Sequence, residues 1–232
     1  MNLEAGRSDG GMPTSLVLAA VAWYLVAPQL LAGTAQAVPG VIRAGMWVRL
    51  VVAQAAVAGS AAAILMSAPA GRLRPGSRLF GLRPLDGRSL FTVPAAAVGA
   101  FVAAGALYAA EHAAGMPQQR TAAIRMVRAS HGASLALAVL VICVAAPVIE
   151  ELFFRGLIYG HLRRRASAGW STVITSLAFA LVHPNIPYSL LPMAAIGAMF
   201  CWCRERTGST WASMCTHGLY NAMALALMVA RI

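Results

Sequence analysis

Residues 132–155 read GASLALAVLVICVAAPVIEELFFR, and the reading of this stretch decides the fold. From 133 to 149 there is no charged residue and no polar stripe at helical spacing. A helix formed here is apolar on every side, which suits lipid better than the half-wet surface of a soluble bundle. A helix rises about 1.5 Å per residue and the hydrocarbon core is about 30 Å thick, so about 20 such residues make one crossing. The stretch is therefore read as a transmembrane span over 132–152, with Pro147 loosening the helix just before Glu150 and Glu151.

Outward from it, six further apolar segments are read as spans near 14–33, 47–69, 91–110, 170–183, 186–203 and 209–230. The expected architecture is an all-α polytopic bundle of about seven spans, or eight. The segment 170–183 is short for a crossing and is followed by Pro184 and Pro187, so a broken or short helix is expected there. Such a helix is tolerated where it lines a protein cavity. The first span ends in Ala35-Gln36-Ala37, the small-x-small form of a signal-peptidase site. It is read as retained, because Glu4 and Asp9 accompany Arg7 before it and its apolar stretch is longer than an h-region of about 7–15 residues.

Composition agrees with this reading. Hydrophobic residues make up 59% of the 232-residue chain and charged residues 11%, against roughly one quarter charged in soluble domains. The formal charge of +11 comes from arginine alone, since the chain has no lysine. Those arginines fall in short loops rather than on a continuous basic face with aromatics, which excludes nucleic-acid binding. Positive loops stay cytoplasmic. Arg72, Arg74, Arg78, Arg83 and Arg88, then Arg163–Arg165, then Arg204 and Arg206 all lie inside if the N-terminus is cytoplasmic. Arg43, Arg120, Arg125 and Arg128 then lie outside, and 111–131 is the exception, readable as a helix at the interface. The expectation is a polytopic protein of a bacterial-type plasma membrane. Cys143, Cys201, Cys203 and Cys215 sit in apolar blocks and are read as small hydrophobes. The chain is read as an N-terminal part, 1–124, with about three spans and the basic loop between 69 and 90 that is its best internal linker, followed by a catalytic core at 125–232.

Charged groups at membrane depth cost about 2.5–3.5 kcal/mol each on insertion scales, so each needs a reason. Neighbouring helical residues point about 100° apart, so Glu150 and Glu151 do different jobs. Glu151 shares a face with Arg155 at i, i+4 and can pair with it, which leaves Glu150 as the freer carboxylate. His183 ends an apolar run just before Pro184, where the helix must break. His217 and Asn221 share a face at i, i+4, as do Phe179 and His183. Ion pairing, helix capping and polar gluing of helices explain each singly. Depth changes the balance. Glu150 lies 13 residues before Arg163, His217 lies 11 after Arg206, and His183 lies 13 after Trp170, distances of roughly 20, 16 and 20 Å along helices. Three helices thus carry a carboxylate and two imidazoles to one level. His112, His131 and His161 are read as solvated.

The ordered set Glu150-Glu151-x-x-x-Arg155, Phe179-x-x-x-His183, His217-x-x-x-Asn221 resembles the CAAX protease and bacteriocin-processing family of intramembrane proteases, also called the Abi family. The resemblance covers about 125–232, and 79–84 is similar to the short segment that often precedes that core. It implies that Glu150 and His183 hold and deprotonate a water that attacks a peptide carbonyl, while His217 and Asn221 steady the oxyanion. Glu151, Arg155 and Phe179 become supports. The substrates implied are peptides or proteins at the membrane. A metal-free site is the reading taken, since burial in a bilayer can make a carboxylate basic without an ion. Zn²⁺ on Glu150, His183 and His217 is the alternative. The competing functions are a non-catalytic scaffold or bacteriocin-immunity-type protein, and a transporter. The motifs lack the repeated halves that a transporter would show.

Overall fold

The computed structural model describes residues 13–24, 80–116, 127, 130–183 and 190–229. Every regular element among them is helical. The elements are α1 (Thr14–Tyr24), α2 (Gly87–Ala113), α3 (Ala133–Leu162), α4 (Ala168–Leu181), α5 (Leu190–Thr207) and α6 (Thr210–Val229). Of the seven expected spans, α2 and α3 are helices long and apolar enough to cross a membrane, with 27 and 30 residues and mean hydropathy 2.0 and 2.4. Helices α1 and α4 are apolar but shorter. Arginines in α5 and buried hydroxyls, His217 and Asn221 in α6 dilute the apolar character of those two. The expected span at 47–69, residues 25–33 of the one at 14–33, and the centre of the interfacial segment 111–131 lie outside the described residues.

Helix α2 starts at a capping box. Asp86 Oδ1 accepts from the Ser89 amide at 3.0 Å, and Ser89 Oγ accepts from the Asp86 amide at 3.2 Å, which satisfies two donors at a helix start. Ala96, Ala100 and Ala104 then follow at helical spacing and are buried. Small side chains there let α5 approach closely, the usual solution where lipid gives helices no hydrophobic drive to associate. The outer face of α2 carries exposed Leu90, Phe91, Val98 and Val102, apolar surface that lipid would cover. Helix α5 lies against both α2 and α4, and α6 against α2, α5 and α3.

Helix α3 runs ten residues past the expected end at 152, because Leu152-Phe153-Phe154 and Leu157-Ile158-Tyr159 continue the apolar pattern and Arg155 is paired inside the bundle. It is widened into π-turns at Val141–Ala145 and Leu152–Tyr159, on either side of Pro147. Proline supplies no N–H. The carbonyl of Cys143 in an α pattern, or of Ile142 in a π pattern, therefore loses its partner within the helix. Asn221 Nδ2 on α6 donates to the Ile142 carbonyl at 2.8 Å. A Cβ added to Gly218 would stand 2.5 Å from the Cys143 carbonyl oxygen, so α6 meets the opened turn at very short range. π-Turns of this kind are frequent at functional sites.

The longer α3 corrects one expectation. His161 is not solvated but 6% exposed on the last turn of α3. Its Nε2 faces Thr14 Oγ1 at 3.5 Å and its Nδ1 faces Arg165 at 3.3 Å. The ends of α3 and α5 are joined, with Tyr159 OH and Arg163 both donating to Glu205, at 2.7 and 2.9 Å. Exposed Trp170, Trp202 and Trp211 lie near the arginine-bearing end of the bundle, at the start of α4, the end of α5 and the start of α6. An aromatic belt of this sort marks a membrane–water interface.

Candidate active site

Glu151 is the hub of the buried polar groups. Its Oε1 accepts from Arg155 Nη1 at 2.8 Å and from His217 Nδ1 at 2.9 Å, and its Oε2 from Ser213 Oγ at 2.5 Å. Glu151 and Arg155 are both fully buried. Charges so placed persist only when each is paired and hydrogen-bonded. Arg155 is served on its other side by the Gly197 carbonyl at 2.8 Å. Its guanidinium also lies 4.7 Å from the Phe179 ring centre and 5.1 Å from that of Phe200, where aromatic faces replace part of the lost water.

Glu150 stands apart from this network. It is half-buried, and its Oε2 is enclosed without a hydrogen-bond partner. Adjacent positions on α3 thus carry one carboxylate consumed by structure and one left unspent.

His183 sits in the turn that ends α4, half-buried. Its Nδ1 lies 2.7 Å from the Phe179 carbonyl. A carbonyl only accepts, so Nδ1 carries the proton and the neutral ring keeps a lone pair on Nε2. The ring packs on Phe179 at 4.6 Å between centres, and Phe179 in turn meets the His217 ring at 5.9 Å. Phe179 therefore touches both imidazoles and the Arg155 guanidinium. His217 is further fixed by stacking on Phe200, 4.6 Å between centres and 29° between planes. With Nδ1 held by Glu151, its Nε2 is the free atom. Asn221 uses one amide hydrogen on Ile142 and retains the second.

Among the described residues no group of three His, Cys, Asp or Glu stands close enough together to hold a metal ion, although His183 and His217, each with Nδ1 bonded and Nε2 free, are oriented as ligating imidazoles commonly are.

Three contributors escaped the sequence reading. Ser213 stands one turn before His217, and the spacing Ser213-x-x-x-His217-x-x-x-Asn221 was a visible signal. Gly197 was not legible: a Cβ there would meet Ser176 at 3.1 Å and Arg155 Nη2 at 3.4 Å, a closeness that no local pattern encodes. Phe200 was likewise hidden in an apolar run. The four cysteines are free, Cys201 and Cys203 buried, Cys143 half-buried and Cys215 exposed.

Residues 132–223 match the family model for Type II CAAX prenyl endopeptidase Rce1-like. The match takes in α3, α4, α5 and α6 through Asn221, and so every residue of the cluster. A protein of Bacillus subtilis (strain 168) described as "Putative membrane peptidase YdiL" is 27% identical over 93 residues, 40% of this chain and 38% of that protein. The chain thus spans well under half the length of that relative. No solved structure matches. Residues 132–223 are thus similar to a family of membrane proteases, and two helices of the chain are long and apolar enough to cross a membrane.

Proposed function

We propose that the chain is an intramembrane endopeptidase that hydrolyses membrane-associated peptides or proteins with a water activated by Glu150 and His183. The observation that carries the proposal is the division between two adjacent glutamates: Glu151 is engaged by Arg155, His217 and Ser213, while Glu150 keeps a buried oxygen without a partner. In the proposed reaction Glu150 takes a proton from water, and the His183 Nε2 lone pair holds that water by its other hydrogen. The water oxygen bonds to the peptide carbonyl carbon. The negative charge that forms on the carbonyl oxygen is met by the second amide hydrogen of Asn221 and by Nε2–H of a protonated His217, whose charge Glu151 supports. Such pre-aimed donors commonly supply the largest share of catalysis. The C–N bond then breaks, and the proton held by Glu150 passes to the leaving amine.

The cytoplasmic N-terminus and the polytopic arrangement belong to the same proposal and rest on the arginine distribution. In a non-catalytic scaffold the polar network would serve helix packing alone. Purified protein in detergent, offered a peptide library, separates the two. Wild type is expected to cut, and Glu150→Ala to lose activity by at least about two orders of magnitude while keeping its helical content. Equal cutting by Glu150→Ala would remove Glu150 from the role of base. Absence of cutting by wild type, with biological function intact in Glu150→Gln, would favour the scaffold.

A further inference from the structure

Where α5 turns into α6, a second charged cluster lies outside the proposed hydrolysis. Gly208 in this turn and Gly81 in the segment packed on it both have left-handed backbone, at φ 67° and φ 59°. The Arg204 guanidinium covers Gly81 so closely that an added Cβ would collide with its Nη2 and Cζ. Arg83 lies over Gly208, where a Cβ would be 3.4 Å from its Nη1. Burial disfavours the Arg204 charge and Arg83 opposes it, whereas Tyr159 and Glu205 favour it. Arg204 Nε is buried with no hydrogen-bond partner.

The segment that presents Arg83 is pinned by its backbone. The Phe80 carbonyl accepts from Thr210 Oγ1 at 2.5 Å, the Gly81 carbonyl from the Thr210 amide at 2.8 Å, and the Arg83 carbonyl from Ser209 Oγ at 2.6 Å. These bonds fix the backbone that carries Arg83 against the turn that follows Arg204.

Little in the chain can neutralise them. It has seven acidic residues against 18 arginines. Glu205 acts favourably on the Arg204 charge, but its oxygens are hydrogen-bonded by Arg163 and Tyr159 instead. Asp86 closes the α2 capping box. Glu111 lies at the other end of α2, and Glu150 and Glu151 lie in the cluster described above. Glu4 and Asp9 precede the described residues. Among the described residues neither Arg83 nor Arg204 has an ion-pair partner within 4 Å, so the two can take an external anion. Exposed Trp202 and Trp211 flank the same turn, which sets it at headgroup level.

We infer that Arg83 and Arg204 form a clip for the phosphate of an anionic phospholipid headgroup. Guanidinium forks match the paired unesterified oxygens of a phosphodiester, and basic pockets between helices on the cytoplasmic side are suited to such headgroups. The clip depends on placement in the membrane and not on protease activity.

The test uses the full chain in uncharged detergent, with native mass spectrometry for bound lipid and thermal unfolding as a second reading. The probes are phosphatidylglycerol, phosphatidylcholine and inorganic phosphate. Phosphatidylglycerol is expected to bind and raise Tm where phosphatidylcholine does not. Arg83→Gln and Arg204→Gln are each expected to weaken phosphatidylglycerol about fivefold, the ratio equivalent to about 1 kcal/mol for one basic residue at an anionic surface. Arg88→Gln, an exposed arginine beside the Asp86 cap, serves as the equal-charge control and is expected to bind like wild type. Should Arg204→Gln fail to fold, Arg83→Gln alone decides, since Arg83 is exposed. Equal retention of phosphatidylcholine, or equal weakening by Arg88→Gln, would overturn the clip in favour of a diffuse field. The same Tm shift from inorganic phosphate alone would overturn the lipid as occupant.

Discussion

Replacing Arg155 by methionine tests the buried network at its centre. Arg155 and Glu151 have no exposed surface, so neither charge can turn to water when the other is removed. Arg155→Met leaves the Glu151 carboxylate with only Ser213 and His217, and leaves the Gly197 carbonyl without its donor. Breaking a buried pair from one side costs about 3–5 kcal/mol, a large part of the roughly 5–15 kcal/mol that holds a typical domain together. Glu151→Gln strands the guanidinium instead and is expected to cost a similar amount. The double variant removes both charges. The introduced amide can then accept from His217 through its oxygen and donate through its nitrogen to Ser213 Oγ, whose own hydrogen is free for the Phe200 carbonyl 3.2 Å away. The double variant is therefore expected to lose at least about 2 kcal/mol less than the two single losses combined, within the range of coupling seen for residues in one network. Unfolding in mixed detergent and dodecyl sulfate micelles, followed by circular dichroism, measures all four proteins. Additivity within about 0.5 kcal/mol would refute the account, because independent sites add to that precision.

Three further outcomes follow from the opened turn and the caps. Asn221→Ala should cost about 1–3 kcal/mol by stranding the Ile142 carbonyl, and Pro147→Ala, which restores an N–H to α3, should return most of it in the same unfolding assay. Gly218→Ala should be destabilising and should lower α3–α6 cross-linking between engineered cysteines, since its Cβ would stand 2.5 Å from the Cys143 carbonyl oxygen. The Asp86 carboxyl is held below its usual range by the hydrogen bonds from Ser89. A folded value below the unfolded one means that the cap's contribution is complete above the unfolded carboxylate range and lost as pH falls through the folded value. The acid-side drop in Tm should therefore be smaller in Asp86→Ser than in wild type.

The helical, apolar character of the chain was legible because lipid demands unbroken hydrophobic runs, and α2 and α3 show them plainly. The pairing of Glu151 with Arg155 was legible for a local reason: i, i+4 spacing fixes which side chains share a helix face. The extent of α3 was not. A charged Arg155 in sequence looks like the edge of a span, and only the tertiary partners Gly197, Phe179 and Phe200, added to the local pair with Glu151, make it an interior residue. His161 was misjudged through the same boundary. The π-turns escaped for a related reason. Pro147 announced a loosened helix, but whether the freed carbonyls would be met by water or by another helix depends on Asn221 and Gly218, more than seventy positions away.

These long-range contacts bear on how the candidate site can be tested. Helix α6 runs antiparallel to α3, and its residues meet α3 in order: Ser213 and His217 at Glu151, Gly218 at the Cys143 carbonyl, Asn221 at the Ile142 carbonyl. Two of the four residues proposed to act on substrate, His217 and Asn221, are therefore also fasteners between helices. Loss of activity on replacing either cannot by itself separate chemistry from folding. Glu150 is free of that ambiguity, because its enclosed Oε2 holds no hydrogen bond that the fold would miss. Its replacement by glutamine leaves shape, volume and every observed contact in place while removing the capacity to take a proton. A stable Glu150→Gln protein that still cleaves peptides at the wild-type rate would show that another group activates the water and that Glu150 is not the base.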